Sequence, residues 1–384
     1  SPMQEGMLFH SIDGQDSKVY VVVLHFSLRG ALNVPAFKRA WRKTLDRHSV
    51  LRTFFVWKSS KTPLQIVRKR VSLPWQGFDW RHKPASEQTE LLESFAQTDR
   101  MRGFNLSKAP LMRLTLVLRA QNDYHFFFNH HHMLLDGWSV AWLLKEVFAL
   151  YQANCSGKDI YLEELESYRT YITWQKQRDL SEAENYWREA LEGFTKPTPI
   201  RIDETLDNTQ SSIDEYDELQ IRLSKATTAG LQALAQQHQI TLGTLVHGVW
   251  ALLLSRYSDE TDIVFGTVVS GRSIALPGIE SMIGLFINTL PVRVQTSPEA
   301  RLMPWLRELQ KHQFRARKFE YSSLRNIQAW SELVRSQGQS LFSSILVFGN
   351  YPLSDFRQEV AGDLEIGTVS FLEGSNYPLT VLID

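Results

Sequence analysis

Cysteine is almost missing from these 384 residues, with Cys155 standing alone. That excludes an intrachain disulfide and any zinc site built on a cysteine pair. Cys155 lies in ANCSGKD, which reads as a polar loop, and nothing beside it in sequence would activate a thiol. An excess of charge is missing too. Lys plus Arg number 42 and Asp plus Glu 42, so no overall field draws nucleic acid or an anionic membrane. No apolar run is long enough to span a bilayer and no signal peptide opens the chain, which makes the cytoplasm the expected location. No repeat of solenoid period is visible. What remains is an ordinary globular composition, 43% apolar, 22% charged and 11% aromatic. The length favours two lobes over one core.

The chemistry concentrates in residues 123–149, DYHFFFNHHHMLLDGWSVAWLLKEVFA. The run 124–128 suits a strand buried on both faces. His130, His131 and His132 follow, and the Asp136-Gly137 pair then breaks the chain. Beyond it, Val140, Leu143, Leu144, Val147 and Tyr151 recur at helical spacing, giving strand, loop and amphipathic helix. Titratable residues between a core strand and a core helix are costly to bury and need a reason. For any one histidine the plain alternative is a satisfied core residue. A metal is disfavoured, because strand neighbours such as His131 and His132 point to opposite faces. Nor does an HExxH or a third ligand at a usual spacing complete a zinc site.

The pattern His131-His132-x-x-x-Asp136-Gly137 resembles the HHxxxDG hallmark of condensation domains of nonribosomal peptide synthetases. The shorter HxxxD is shared with chloramphenicol-acetyltransferase-like acyltransferases. Further stretches resemble the family's motifs in its order. They are QEGMLFH near the start, RHSVLRTFF, SYRTYITWQ and MIGLFINTLPVRV. Ser49 stands where glutamate is usual, but Arg52 is kept and reads as structural. Arg169 and Thr170 depart from the usual small or acidic residues.

The resemblance implies an α/β (α+β) fold of two chloramphenicol-acetyltransferase-like lobes in a V, with a tunnel between them. Residues 1–178 would form the lobe carrying the histidines and 179–384 the second lobe. The family's further strand and closing helix are not found before Asp384. No carrier serine motif and no adenylation motif is present, so one domain of a larger machine is expected. Its partners would be upstream and downstream peptidyl carrier proteins and an adjacent adenylation domain. Substrates would ride on the carriers' 4'-phosphopantetheine, with no cofactor bound by the domain itself.

The implied reaction is attack of an acceptor α-amine on a donor thioester. An α-amine titrates at about 7.7–8.0 and a histidine ordinarily at about 6.5, so both suit neutral pH. By motif position His132 is the base or the group orienting the amine, and His131 is structural. Asp136 would pair with an arginine, and Arg272 in the Ser-Gly-Arg turn resembles that partner. Gly137 would offer its N–H to the oxyanion at a helix start. Trp138 and Ser139 would line the tunnel or pack in the core, and Asn288 lies in a motif without an assigned role. QEGMLFH, IGLFINTLPVR, EYSSLRNIQAW and LVFGNYP resemble the subtype joining a D-residue donor to an L-residue acceptor. Rival readings are an epimerase, an ester-forming or cyclising relative, and a docking platform without catalysis.

Elsewhere, local signals predict helices over 1–11, 34–48, 85–102, 181–191, 224–238 and 302–321, with another capped by Thr241. Ser181 and Ser224 read as caps, and Leu245, Val249, Leu252 and Leu253 as one apolar face. Strands are predicted over 20–28, 111–119, 219–223, 263–269, 341–348 and 377–383, and a linker over 196–217.

Overall fold

The structure is a computed structural model that describes residues 1–12, 18–57, 62–200, 217–333, 340–349 and 364–383. The first half of the chain supplies α1 (Pro2–Ile12), β1 (Val21–Arg29), α2 (Val34–Arg47), β2 (Thr53–Val56), β3 (Leu64–Val67) and β4 (Trp75–Asp79). It continues with α3 (Ala85–Met101), β5 (Met112–Ala120), β6 (Asp123–His131), α4 (Gly137–Ser156), α5 (Tyr168–Lys176) and α6 (Ser181–Ala190). The second half supplies α7 (Lys225–Gln237), α8 (Leu242–Ser258), β7 (Asp262–Val269), β8 (Asn288–Gln295), α9 (Leu302–Arg317) and α10 (Leu324–Trp330). It closes with β9 (Ser344–Phe348), β10 (Glu365–Ile366), β11 (Ser370–Leu372) and β12 (Leu379–Ile383).

Strand β6 is central in the first sheet, ordered β10-β1-β6-β5-β4. Antiparallel partners flank it on both sides, with Val21 opposite His131 on β1 and Met112 opposite His130 on β5. Its apolar run is continuous because both faces are covered. Phe126 and Phe128 pack with Phe26, Phe37, Trp41 and Phe148 in the main core, which α2 and α4 complete. Phe127 packs on the other face with Val23, Val117 and Ala96, beneath Leu92 and Phe95 of α3. β10 and β11, from the far end of the chain, both add to β1. The second sheet runs β12-β9-β7-β8, with β7 antiparallel to β8 and parallel to β9.

Four local expectations need correction. Residues 219–223 are not a strand. Leu219, Ile221 and Leu223 are 86%, 77% and 56% exposed, and alternation alone makes no strand without a partner to bond. The apolar face of α8 is displaced: Leu245, Gly248, Ala251 and Leu254 are buried, whereas Val249, Leu252 and Leu253 are exposed. That helix is apolar nearly all round, so periodicity does not pick its buried side. Cys155 sits in the last turn of α4, not in a loop, because the helix runs on to its left-handed cap at Gly157. Ser181 is the first residue of α6 and makes no cap. The Asp179 carboxylate instead accepts from the Ser181 N–H (2.9 Å) and hydroxyl (2.7 Å). Ser224 and Thr241 do cap α7 and α8 through their side-chain oxygens. Most of the expected linker, 201–216, lies outside the described residues, as do Asn350, Tyr351 and Pro352.

Candidate active site

The site is built where β6 ends and α4 begins. His131 is the last residue of the strand, on the same side as Asn129, and is fully buried. Its Nδ1 accepts the Met133 N–H at 3.2 Å, so the neutral ring carries its proton on Nε2, which has no hydrogen-bond partner. Burial, with His132 adding, lowers its pKa to about 3. His130, on the opposite side, stacks on Phe128 at 4.8 Å and is lowered to about 3 by burial and its two histidine neighbours. Both are neutral core groups. His132 continues the ladder by one bond, its N–H donating to Tyr20 O at 2.8 Å. Its side chain is only half-buried, and its Nδ1 is buried without a partner. Of the three, His132 is the one with an open edge.

The loop after it is held from both sides. Gln4 of α1 donates to Met133 O at 2.9 Å, which gives the opening motif a physical task. Asp136 caps α4, its Oδ1 accepting the Ser139 N–H at 2.8 Å. Its Oδ2 accepts the Phe286 N–H at 2.8 Å, 150 residues away, and Arg272 Nη2 stands 3.4 Å from Oδ1. The side chain of Asp136 is wholly buried, so its charge is met by these donors and not by water. Ser139 belongs to the same lock. Its hydroxyl donates to Gly284 O at 2.6 Å and accepts from Gly284 N–H (3.0 Å) and Arg272 Nη2 (2.9 Å). The guanidinium of Arg272 lies 4.1 Å over the Phe286 ring and also donates to the carbonyls of Ile279 and Met282.

Two glycines allow that approach. Gly271, at φ +66°, has the Phe286 carbonyl where a Cβ would stand. A Cβ on Gly284 would lie 2.1 Å from the Tyr168 ring, whose hydroxyl donates to Leu285 O at 2.6 Å.

The residues singled out from sequence therefore fall into distinct places. Gly137 opens α4, and Trp138 beside it is half-buried. Asn288 is bound to backbone: its Nδ2 donates to Glu320 O (2.8 Å) and Ser322 O (2.5 Å) and its Oδ1 accepts the Thr289 N–H. It braces the start of β8. Arg52 likewise bonds to the carbonyls of Leu45 and Lys69, a structural role. Sequence reasoning misses Gln4, Tyr168, Gly284 and Phe286 as site residues, although all lie in stretches with family-like wording. Among the described residues no three His, Cys, Asp or Glu side chains are grouped to hold a metal. No helix among them is long and apolar enough to cross a membrane.

Two sheets with helices packed on them, and a strand–histidine–loop–helix site held by an arginine from the second half, give the chain a chloramphenicol-acetyltransferase-like fold, shared with the solved condensation-domain structures below. More narrowly, the chain belongs to the condensation-domain family, whose model matches residues 1–383. It is 44% identical over 382 residues to one of the linear gramicidin synthase subunits of Brevibacillus parabrevis, covering 100% of this chain and 5% of that protein. It is 33% identical to surfactin synthase subunit 3 of Bacillus subtilis, covering 100% of this chain and 30% of that one. The chain thus spans a small part of these nonribosomal synthetase subunits. In fold it matches the starter condensation domain of rhizomide synthetase, at TM-score 0.78 and 19% identity, covering 99% of this chain and 84% of that one. The X-domain from teicoplanin biosynthesis matches at TM-score 0.80 and 20% identity, with the same coverage.

Proposed function

We propose that this domain forms a peptide bond between a donor peptidyl or aminoacyl thioester and the α-amine of an acceptor aminoacyl thioester. Both substrates are held on the phosphopantetheine arms of peptidyl carrier proteins, one upstream and one downstream. An adenylation domain of the same synthetase loads the acceptor, and the cytoplasm is the setting. The lobes are 1–178 and 179–384, and the substrates meet in the V between them, at the loop after β6. One observation carries the reading. In a chain of this family His132 alone of three adjacent histidines presents an open edge, on a loop fixed by the Asp136 network.

The amine attacks the thioester carbonyl, the C–N bond forms, the C–S bond breaks and the donor carrier leaves as a thiol. His132 orients the amine and takes its proton, which ends on the departing thiolate. Orientation of two tethered reactants is worth roughly 7–11 kcal/mol and the proton transfer about 10²–10⁴-fold. The Gly137 N–H, at the positive end of α4, faces the developing oxyanion. Asp136, Arg272 and Ser139 hold the loop and do not touch the reacting atoms. Likeness to the D-donor subtype, in QEGMLFH and EYSSLRNIQAW, supports a donor ending in a D-residue.

The test is a single turnover with both loaded carriers, read by intact-protein mass. Transfer to the acceptor carrier, faster from a D-terminal donor, is expected. Racemised donor without transfer would point to an epimerase. No transfer, with carriers still bound, would point to a docking platform.

A further inference from the structure

We infer that Glu320 is a positioning residue for the site loop, acting through the turn that carries Arg272. The inference uses the condensation reading for its rate readout. Glu320 follows the end of α9 and is 1% exposed, yet among the described residues no Lys or Arg nitrogen lies within ion-pair distance. A carboxylate buried without a cation needs another reason to be there. Its Oε1 accepts the Ser273 N–H at 2.7 Å, and Ser273 is the residue after Arg272. Burial pushes its carboxyl above the ordinary glutamate range, while the Ser273 N–H and hydroxyl and the more distant Arg317 act in the opposite sense.

The geometry makes a chain of rigid contacts from Glu320 to the loop. On one side of the turn, Glu320 pins Ser273. On the other, Arg272 bonds to Ser139 Oγ at 2.9 Å and stands 3.4 Å from Asp136. The backbone of Glu320 is fixed in turn, since its carbonyl accepts from Asn288 Nδ2 at 2.8 Å. Tyr171 feels both carboxylates. Its hydroxyl is raised first by burial and then by the negative charge of both Glu320 and Asp136, and its ring packs on Phe286 at 4.7 Å. So the bond from Glu320 to Ser273 sets where the guanidinium sits. The guanidinium, with Phe286 beneath it, sets where the Asp136–Ser139 turn and the histidines before it sit. Without the Glu320 acceptor the Ser273 N–H loses this bond and turns to solvent, and the turn carrying Arg272 is released from the segment after α9.

The experiment compares Glu320→Gln, Glu320→Asp and Glu320→Ala by single-turnover transfer and by hydrogen–deuterium exchange over 136–139 and 270–287. Gln keeps the acceptor oxygen and is expected to transfer at close to the wild-type rate. Asp keeps the charge but falls one methylene short, so it separates reach from charge even if Ala does not fold. Asp and Ala are expected to slow transfer by roughly 10- to 100-fold, the scale of a small displacement at a reacting centre. They should also raise exchange in both segments. In an Arg272→Gln background the further loss should shrink to less than about 3-fold, because the two residues act in series. Equal rates for all three variants, or losses that multiply fully in the Arg272→Gln background, would overturn the inference. A wild-type protein that transfers nothing would sink the condensation reading instead. The exchange of 136–139 would then still decide the role of Glu320.

Discussion

Arg272 reaches Asp136 from 136 residues further along the chain, but it is the most distant of that carboxylate's three donors. The backbone N–H groups of Ser139 and Phe286 each stand at 2.8 Å and the guanidinium at 3.4 Å. Asp136 is thus a helix cap and a clasp between two halves of the chain before it is an ion-pair partner. Asp136→Ala should destabilise the fold by about 3–5 kcal/mol, the cost of leaving a buried cation and buried N–H groups uncompensated. Asp136→Asn, which keeps one carbonyl oxygen, should cost less than half of that. Urea unfolding of the two variants checks both, and equal losses would mean that the charge of Asp136 matters more than its capping oxygen.

His131 and His132 should separate cleanly on substitution. His131 is fully buried, so His131→Ala is expected to lose about 2–5 kcal/mol of stability, as emptying a core site does. His132→Ala, at a half-buried position, should leave unfolding within about 1 kcal/mol of wild type and act on transfer alone. Thermal melts beside transfer rates make the comparison.

Acid should unfold this protein through its histidines. His125, His130 and His131 titrate near 3 in the folded state, with burial as the main cause, against about 6.5 when unfolded. Between those values the unfolded chain binds more protons, so stability is intact above about pH 6.5 and is lost as pH falls toward 3. Each group contributes a slope of up to about 1.4 kcal/mol per pH unit. Urea midpoints measured at pH 7, 6 and 5 should fall in that order. A flat series would mean the rings are not neutral in the core.

Gly284→Ala tests the close approach on which the lock depends. The added methyl would meet the Tyr168 ring at 2.1 Å, so one of the two must move. Overpacking of this kind costs about 1–3 kcal/mol. Gly284→Ala with Tyr168→Leu should recover part of it in a double-mutant cycle.

How much of this is legible in the sequence follows from how local each signal is. Strand, loop and helix around the histidines are readable because apolar spacing and the Asp136-Gly137 break lie within one short stretch. Caps at Ser224 and Thr241 are readable for the same reason. The contacts of Phe286, Gly284 and Asn288 are not, because their partners lie about 30 to 150 residues away and no spacing rule reaches that far. The buried side of α8 escapes the sequence because a helix apolar on every side carries no directional signal. Residues 219–223 have the alternation of a strand, but pairing is a tertiary fact and their side chains remain in solvent.

The central claim is that His132 does the proton work on a loop the rest of the chain only holds in place. The most direct measurement is the single-turnover rate of His132→Ala against wild type, with folding matched by thermal melt and carrier binding matched by affinity. A fall of about 10²–10⁴-fold with binding unchanged is the expected result. A His132→Ala protein that transfers at the wild-type rate would contradict the assignment and leave orientation alone to account for the reaction.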